Sequence, residues 1–154
     1  MAQAAASASE MLLIAFRLGR EEYGVEVSEV QEIIKAKEMT RVPRSPSYIR
    51  GVINLRGNIV PVMDLRVRFG SGVSEVSGDT RIVILNYGKL QFGIIVDAVS
   101  EVLRLPSEAV EPPPPLSATV GESFIKGVGK VDGRLIILVD LRGAFGVDGL
   151  LEED

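Results

Sequence analysis

The chain reads as a series of short apolar runs broken by glycine-bearing turns. Leu12 to Leu18 is rich in β-forming residues and leads through Gly19 into a return run, Tyr23 to Val27. Ile82 to Tyr87 and Phe92 to Val96 repeat that arrangement around Gly88. Such runs predict antiparallel strand pairs. Ile49 to Leu55, a turn at Arg56-Gly57-Asn58, and Ile59 to Met63 predict a further hairpin. Asp132-Gly133, a favoured hairpin dipeptide, predicts another between Val131 and Arg134. Ser28, with Gln31 three residues on, has the form of a capping box and predicts a short helical turn, and Asp97 takes the same place later. Asp64 and Asp140 are placed to cap short closing helices that end at Gly70 and Gly146.

These elements form an internal repeat. The 12 residues from Tyr23 to Ile34 recur 69 positions later as Phe92 to Leu103, with four identities. Tyr48 to Gly57 recurs 76 positions later as Phe124 to Gly133, followed by Asp64-Leu65-Arg66 on Asp140-Leu141-Arg142 and Phe69-Gly70 on Phe145-Gly146. The offset grows by seven residues, and the stiff run Pro112 to Pro115 is the natural place for that insertion. The expected organisation is a disordered tail over 1–9 and two homologous halves, about 10–76 and 77–147. Short strands with regular turns in a half of that size point to a small barrel. Two related barrels bury more apolar surface than one and leave a groove between them.

Composition removes most chemistry. The chain of 154 residues has no Cys and no His. It therefore has no disulfide, no thiol nucleophile, no phosphohistidine, and neither of the two commonest zinc ligands. The longest apolar runs are six and five residues, far from the roughly 20 that span a bilayer. Gly127-Val128-Gly129-Lys130 is not a phosphate loop, because Phe124 stands at the first glycine position and Val131 where Ser or Thr would bind magnesium. Asp64 and Asp140 read as caps rather than catalytic carboxylates. No catalytic, cofactor or metal site is expected. Charge is uneven: Lys35 to Arg68 holds eight basic and two acidic residues, in a chain of net charge −4. That stretch reads either as solvated strand faces or as a protein-binding face, since Arg is favoured at interfaces. A nucleic-acid footprint is the alternative, but stacking aromatics are scarce there, with only Tyr48 and Phe69.

Val42-Pro43, Tyr48 through Gly57, and Ile59 through Arg66 closely resemble the signature of the CheW-like domain family, as do Glu22-Tyr23-Gly24 and Val30 through Ile33. The resemblance covers residues 10 to 147. It implies an all-β fold of two tandem SH3-like five-stranded β-barrels with short helices, packed together. Within that family the kinase members need ATP-binding and phosphohistidine domains, and others carry a receiver domain; this chain has length for neither. The resemblance implies a non-catalytic adaptor in bacterial chemotaxis signal transduction. Its partners would be the regulatory domain of the histidine kinase CheA and the cytoplasmic tip of chemoreceptors, the latter in the groove between barrels. It implies a cytoplasmic protein held at membrane receptor arrays through partners, without membrane insertion and without nucleic acid.

Family contact positions fall on Val30, Glu32, Gly51, Arg56, Gly57, Val102 and Gly127. Arg56 stands out, at a hairpin tip where its guanidinium suits a pair with Glu32 or with a partner carboxylate. Asp132 replaces it in the second half, so the two halves present different charge. Val30 and Val102 read equally as core residues, and Gly51 and Gly127 as turn residues. Arg81 departs from the apolar residue common near that position in the family.

Overall fold

The computed structural model describes residues 10–70, 72, 75–112 and 124–144. The expected tail over 1–9, Pro113 to Pro115 and Gly146 lie outside the described residues. Among those described, the strands are β1 (Glu10–Leu18), β2 (Glu21–Glu26), β3 (Val30–Lys35), β4 (Ile49–Leu55), β5 (Asn58–Asp64), β6 (Arg81–Tyr87), β7 (Leu90–Val96), β8 (Ala98–Pro106), β9 (Val110–Glu111), β10 (Ile125–Val131) and β11 (Arg134–Val139). Two single-turn helices, α1 (Leu65–Arg68) and α2 (Leu141–Ala144), follow β5 and β11. One sheet has the order β8-β1-β2-β11-β10-β9 and the other β3-β6-β7-β5-β4.

The chain divides into two compact units that cut across the tandem halves 10–76 and 77–147. A central unit comprises Arg17–Gly19 and Glu29–Val99; a terminal unit comprises the described residues of Met1–Phe16, Arg20–Ser28 and Ser100–Asp154. The cause is an exchange of hairpins between repeats. Only the turn Val27–Glu29 separates β2 from β3, and β3 pairs with β6 of the second repeat rather than with its own β1. The parallel contacts are exchanged in the same way and in one register. Val62, Met63 and Asp64 face Gly93, Ile94 and Ile95 in the central unit, and Leu138 faces Gly24 in the terminal unit, the repeat-equivalent pair. Gly24 and Gly93 are demanded there by close packing: a Cβ on Gly93 would meet Ile82 at 2.8 Å, and one on Gly24 would meet Ile136 at 3.1 Å.

Each sheet closes into a small SH3-like barrel, because its two outer strands are continuous in the chain. In the central barrel the segment leaving β3 returns through Thr40, which exchanges hydrogen bonds of 2.9 and 2.8 Å with Val52 on β4. In the terminal barrel β8 runs through a 3-10 turn, Ser107–Ala109, into β9, which pairs with β10. The cores match position by position. Ile82, Ile84, Val60 and Val62 fill one; Leu13, Ala15, Ile136 and Leu138 fill the other. Each fully buried Leu or Ile stabilises its barrel by about 1.5–3 kcal/mol relative to exposure.

The caps expected at Asp64 and Asp140 are present, and a short helical turn does occur at Ser28, but the expected capping box there is not formed. Asp64 caps α1, its carboxylate accepting from the N–H groups of Arg66 at 3.1 Å and Val67 at 3.5 Å. Ser28 instead lies inside a single 3-10 turn, and Gln31 is in β3, where its side-chain oxygen accepts from Gln91 at 2.6 Å and Asn86 at 3.3 Å. Pairing with β6 holds that segment extended. Asp97 starts no helix either: β8 begins at the next residue, and its carboxylate accepts from the N–H of Gly19 at 2.7 Å.

Candidate functional site

The sequence-predicted positions gather at the hairpin tips and at the seams where each sheet closes. The tips are built alike. Arg56 and Gly57 take φ of 52° and 93°, and Asp132 and Gly133 take 49° and 78°. Two consecutive positive φ values are the signature of the type I′ turn, whose twist matches that of paired strands. Asn54 supports the first turn by accepting from the Gly57 N–H at 2.7 Å. Asp suits the left-handed position at 132; Arg is a poor choice for it at 56. The side chain at 56 nonetheless makes one defined guanidinium contact.

That contact is Glu32 on β3, which pairs with Arg56 across the sheet closure. The Arg56 hydrogen bond holds the Glu32 carboxyl below its ordinary pKa, and Glu32 in turn raises that of Arg56. The arginine remains 68% exposed. The terminal barrel makes a counterpart from a different position. Glu101, the repeat equivalent of Glu32, pairs with Arg134 at 2.9 Å, and Arg134 also forks onto Glu22 at 2.9 and 3.1 Å. The clamp from β3 or β8 to the hairpin is thus common to both barrels. Its arginine sits at the turn apex in one and two residues along, on the return strand, in the other. The sequence carried a signal for this, since Glu32 and Glu101 are identical in the repeat and Arg134 has no equivalent arginine at position 58.

The remaining candidates separate clearly. Gly51 and Gly127 are buried at matching β-bulges, where the seam strand crosses above them. A Cβ on Gly51 would lie 2.5 Å from the carbonyl oxygen of Thr40, and one on Gly127 would lie 2.8 Å from that of Glu111. Barrel closure alone accounts for both glycines. Val30 opens β3 half-buried, opposite Leu85. Val102 points out of β8 at 57% exposure, and its repeat equivalent Ile33 also faces outward. Ile59 and Leu135 form a second matched outward pair, at 66% and 60% exposure. Val102 is one of the positions the family resemblance singles out. Ile33, Ile59, Leu135 and the groove at the central seam do not stand out in the sequence, because their exposure follows from strand register.

The basic stretch is largely committed within the fold. Arg50 pairs with the buried Asp64 at 2.8 Å, Arg56 with Glu32, and Arg66 with Asp97 at 3.5 Å, while Arg68 stacks over Tyr48 at 4.6 Å. A nucleic-acid footprint therefore finds no support. Arg81 donates to the carbonyls of Gly78 and Thr80, both at 2.9 Å, which accounts for its charge beside the strand start. No helix among the described residues is long and apolar enough to cross a membrane.

Comparison with known proteins agrees with this architecture. The CheW-like domain matches residues 12–147. Chemotaxis protein CheW of Klebsiella aerogenes is 42% identical over 126 residues, 82% of this chain and 76% of its own. Protein FrzA of Myxococcus xanthus is 32% identical over 133 residues, 86% of this chain and 82% of its own. The crystal structure of the scaffolding protein TtCheW from Thermoanaerobacter tengcongensis superposes with a TM-score of 0.82 at 40% identity, covering 90% of each chain. Two barrels of exchanged repeats, matched over nearly the whole length, place the chain in the CheW-like domain family.

Proposed function

We propose that this chain is a non-catalytic adaptor that couples chemoreceptors to the histidine kinase CheA in bacterial chemotaxis. One observation carries the reading: two barrels of one design keep the same core and the same strand register, yet present opposite charge at equivalent hairpin tips. A duplicated fold with unlike surfaces suits a protein that joins two different partners and performs no chemistry. The names of its relatives, a chemotaxis protein and a scaffolding protein, support the same reading. The partners are the CheA regulatory domain and the cytoplasmic tip of a chemoreceptor, reached in the cytoplasm at membrane receptor arrays. Val30, Glu32, Gly51, Arg56, Gly57, Val102 and Gly127 are the proposed contact positions. Gly51 and Gly127, buried at the seams, and Gly57, at the turn, act through barrel and hairpin shape; the two exposed members that bear a side chain, Arg56 and Val102, carry the greatest weight.

Titration of the full chain with the CheA regulatory domain and a receptor cytoplasmic fragment, separately and together, tests this. Binding to both with formation of a ternary complex is expected. No binding to either at tens of micromolar, about −6 to −7 kcal/mol, would refute it.

A further inference from the structure

The two barrel seams differ in how they are filled. In the terminal barrel the Leu105 side chain lies over Gly129, so closely that a Cβ on that glycine would come within 2.5 Å of it. Ala109 and Val110, at the turn into β9, add to the same core. In the central barrel the equivalent residues exchange size: Ala36 replaces Leu105, and Ile53 replaces Gly129. The core is still filled, now from the β4 side. At the seam itself Met39, partly buried, packs against that core, and Ala36 leaves the rest of the space that Leu105 fills in the other barrel. Pairing of β3 ends at Lys35 opposite Arg81, and residues 36–39 have no strand assignment before the Thr40 bridge.

The result is an open groove of about 690 Å³ on the central barrel, lined in part by Ala36. Its walls carry Lys37, Arg41 and Arg50 among apolar surface from Met39, Ile49 and Val76. Arg50 is already paired with Asp64 at 2.8 Å, and the Lys37 ammonium donates to the Asn54 carbonyl at 3.3 Å. Among the described residues, Lys37 and Arg41 are therefore the lining cations without a carboxylate partner in the fold, and Glu38 is the one carboxylate among the lining residues. Val76 is 59% exposed and, with Met39 and Ile49, adds apolar surface to the groove. No aromatic ring lines the groove on which a base would stack.

We propose that this seam docks an extended acidic peptide segment of a partner protein, in which carboxylates alternate with apolar side chains. An extended chain points successive side chains to opposite faces. Alternation would seat apolar groups on Met39, Ile49 and Val76 while carboxylates reach Lys37 and Arg41. The backbone of residues 36–39 offers an edge along which such a segment adds a strand. The apolar walls and Glu38 favour a peptide over a polyphosphate backbone. The proposal does not depend on which proteins the adaptor joins.

Fluorescence anisotropy of the full chain with a labelled peptide, Asp-Leu-Glu-Val-Glu-Leu-Asp-Glu, tests it. A Kd of about 10–100 µM that weakens as salt rises is expected. The double substitution Lys37→Glu/Arg41→Glu should weaken binding about tenfold. Ala36→Leu, which puts the terminal barrel's residue into the seam, should weaken it about fivefold with an unchanged circular dichroism spectrum. Lys130→Glu, on the other barrel, should leave it unchanged. The proposal is overturned if binding is weaker than about 1 mM, if both groove variants bind like the parent, or if an oligothymidylate displaces the peptide. Failure of the kinase and receptor titration with peptide binding intact would refute the adaptor reading and leave this one standing.

Discussion

Asp64 and Asp140 end equivalent strands, yet the two barrels use them differently. Asp64 is wholly buried, caps α1 and takes the Arg50 guanidinium at 2.8 Å. Asp140 is partly exposed, accepts from the Arg142 N–H at 3.1 Å and folds the Arg142 side chain back on itself at 2.8 Å. Lys126, the equivalent of Arg50, pairs elsewhere, with Glu26 at 2.7 Å. The same divergence recurs at the hairpin tips, where Arg56 in one barrel corresponds to Asp132 in the other, and at the seams, where Ala36 corresponds to Leu105. The backbone plan of cap, bulge, type I′ turn and parallel contact is common to both barrels. What differs is which side chain supplies the charge and which side of the seam supplies the volume. The duplication thus holds the fold constant while changing what each barrel offers a partner.

The largest expected effect tests the first of these pairs. Asp64→Ala removes a cap and leaves Arg50 half-buried against an empty site, and should destabilise by about 3 kcal/mol in urea unfolding. Asp140→Ala loses a more exposed cap and should cost about 1 kcal/mol. Equal costs would mean that the two aspartates do the same structural work. The seam comes next. Leu105→Ala should cost about 3 kcal/mol. Adding Gly129→Ile, which transplants the central barrel's arrangement, should recover at least about 1 kcal/mol, because total volume is then restored. Strict additivity of the two changes would show that the seams are not alternative packings of one design.

Much of this plan was legible in the sequence, and the exceptions have a common cause. Tyr23-Gly24 and Phe92-Gly93, the Asp-Leu-Arg pairs and the two hairpin turns were visible because each depends on local chemistry: a glycine under close packing, a cap, a positive φ. The Ser28 to Gln31 pattern misled because a strand start carries the same residues as a helix start, and only pairing with β6 decides between them. The hairpin exchange was hidden for a related reason. Similarity tells which segments are equivalent, not which copy each one pairs with, so the boundary near residue 76 followed the repeat while the barrels did not. The paired arginines Arg56 and Arg134 sit at non-equivalent positions, and only the structure brings both onto equivalent glutamates. The groove at Ala36 needs two substitutions on different strands to be read together, which requires the register first.

A smaller effect concerns the turn apex. Arg56→Asn gives the left-handed position a residue that adopts it readily. Thermal unfolding should shift upward by no more than a few degrees, while binding to the kinase regulatory domain weakens about tenfold. Lost stability together with unchanged binding would make the Arg56–Glu32 pair a structural clamp like that of Arg134 and Glu101. Asp132→Asn, at the tip of the other barrel, should change neither quantity appreciably.

The finest distinction between the barrels is electrostatic and is read by titration. Glu32 and Asp140 both have pKa values lowered in the folded state, chiefly through side-chain hydrogen bonds from Arg56 and Arg142 respectively. A carboxyl with a lowered folded pKa contributes stability above its unfolded pKa, and that contribution is lost as pH falls through the folded value. The loss therefore falls below the ordinary carboxyl range of about 3.9–4.3, so near neutral pH both contributions are fully present and do not vary with pH. Carboxyl-carbon NMR of Arg56→Asn should show Glu32 rising toward its ordinary value while Asp140 stays low. Arg142→Ala should raise Asp140 and leave Glu32 low. Movement of both carboxyls in either variant would mean that the pairs are coupled, and that the two barrels do not present their charges independently.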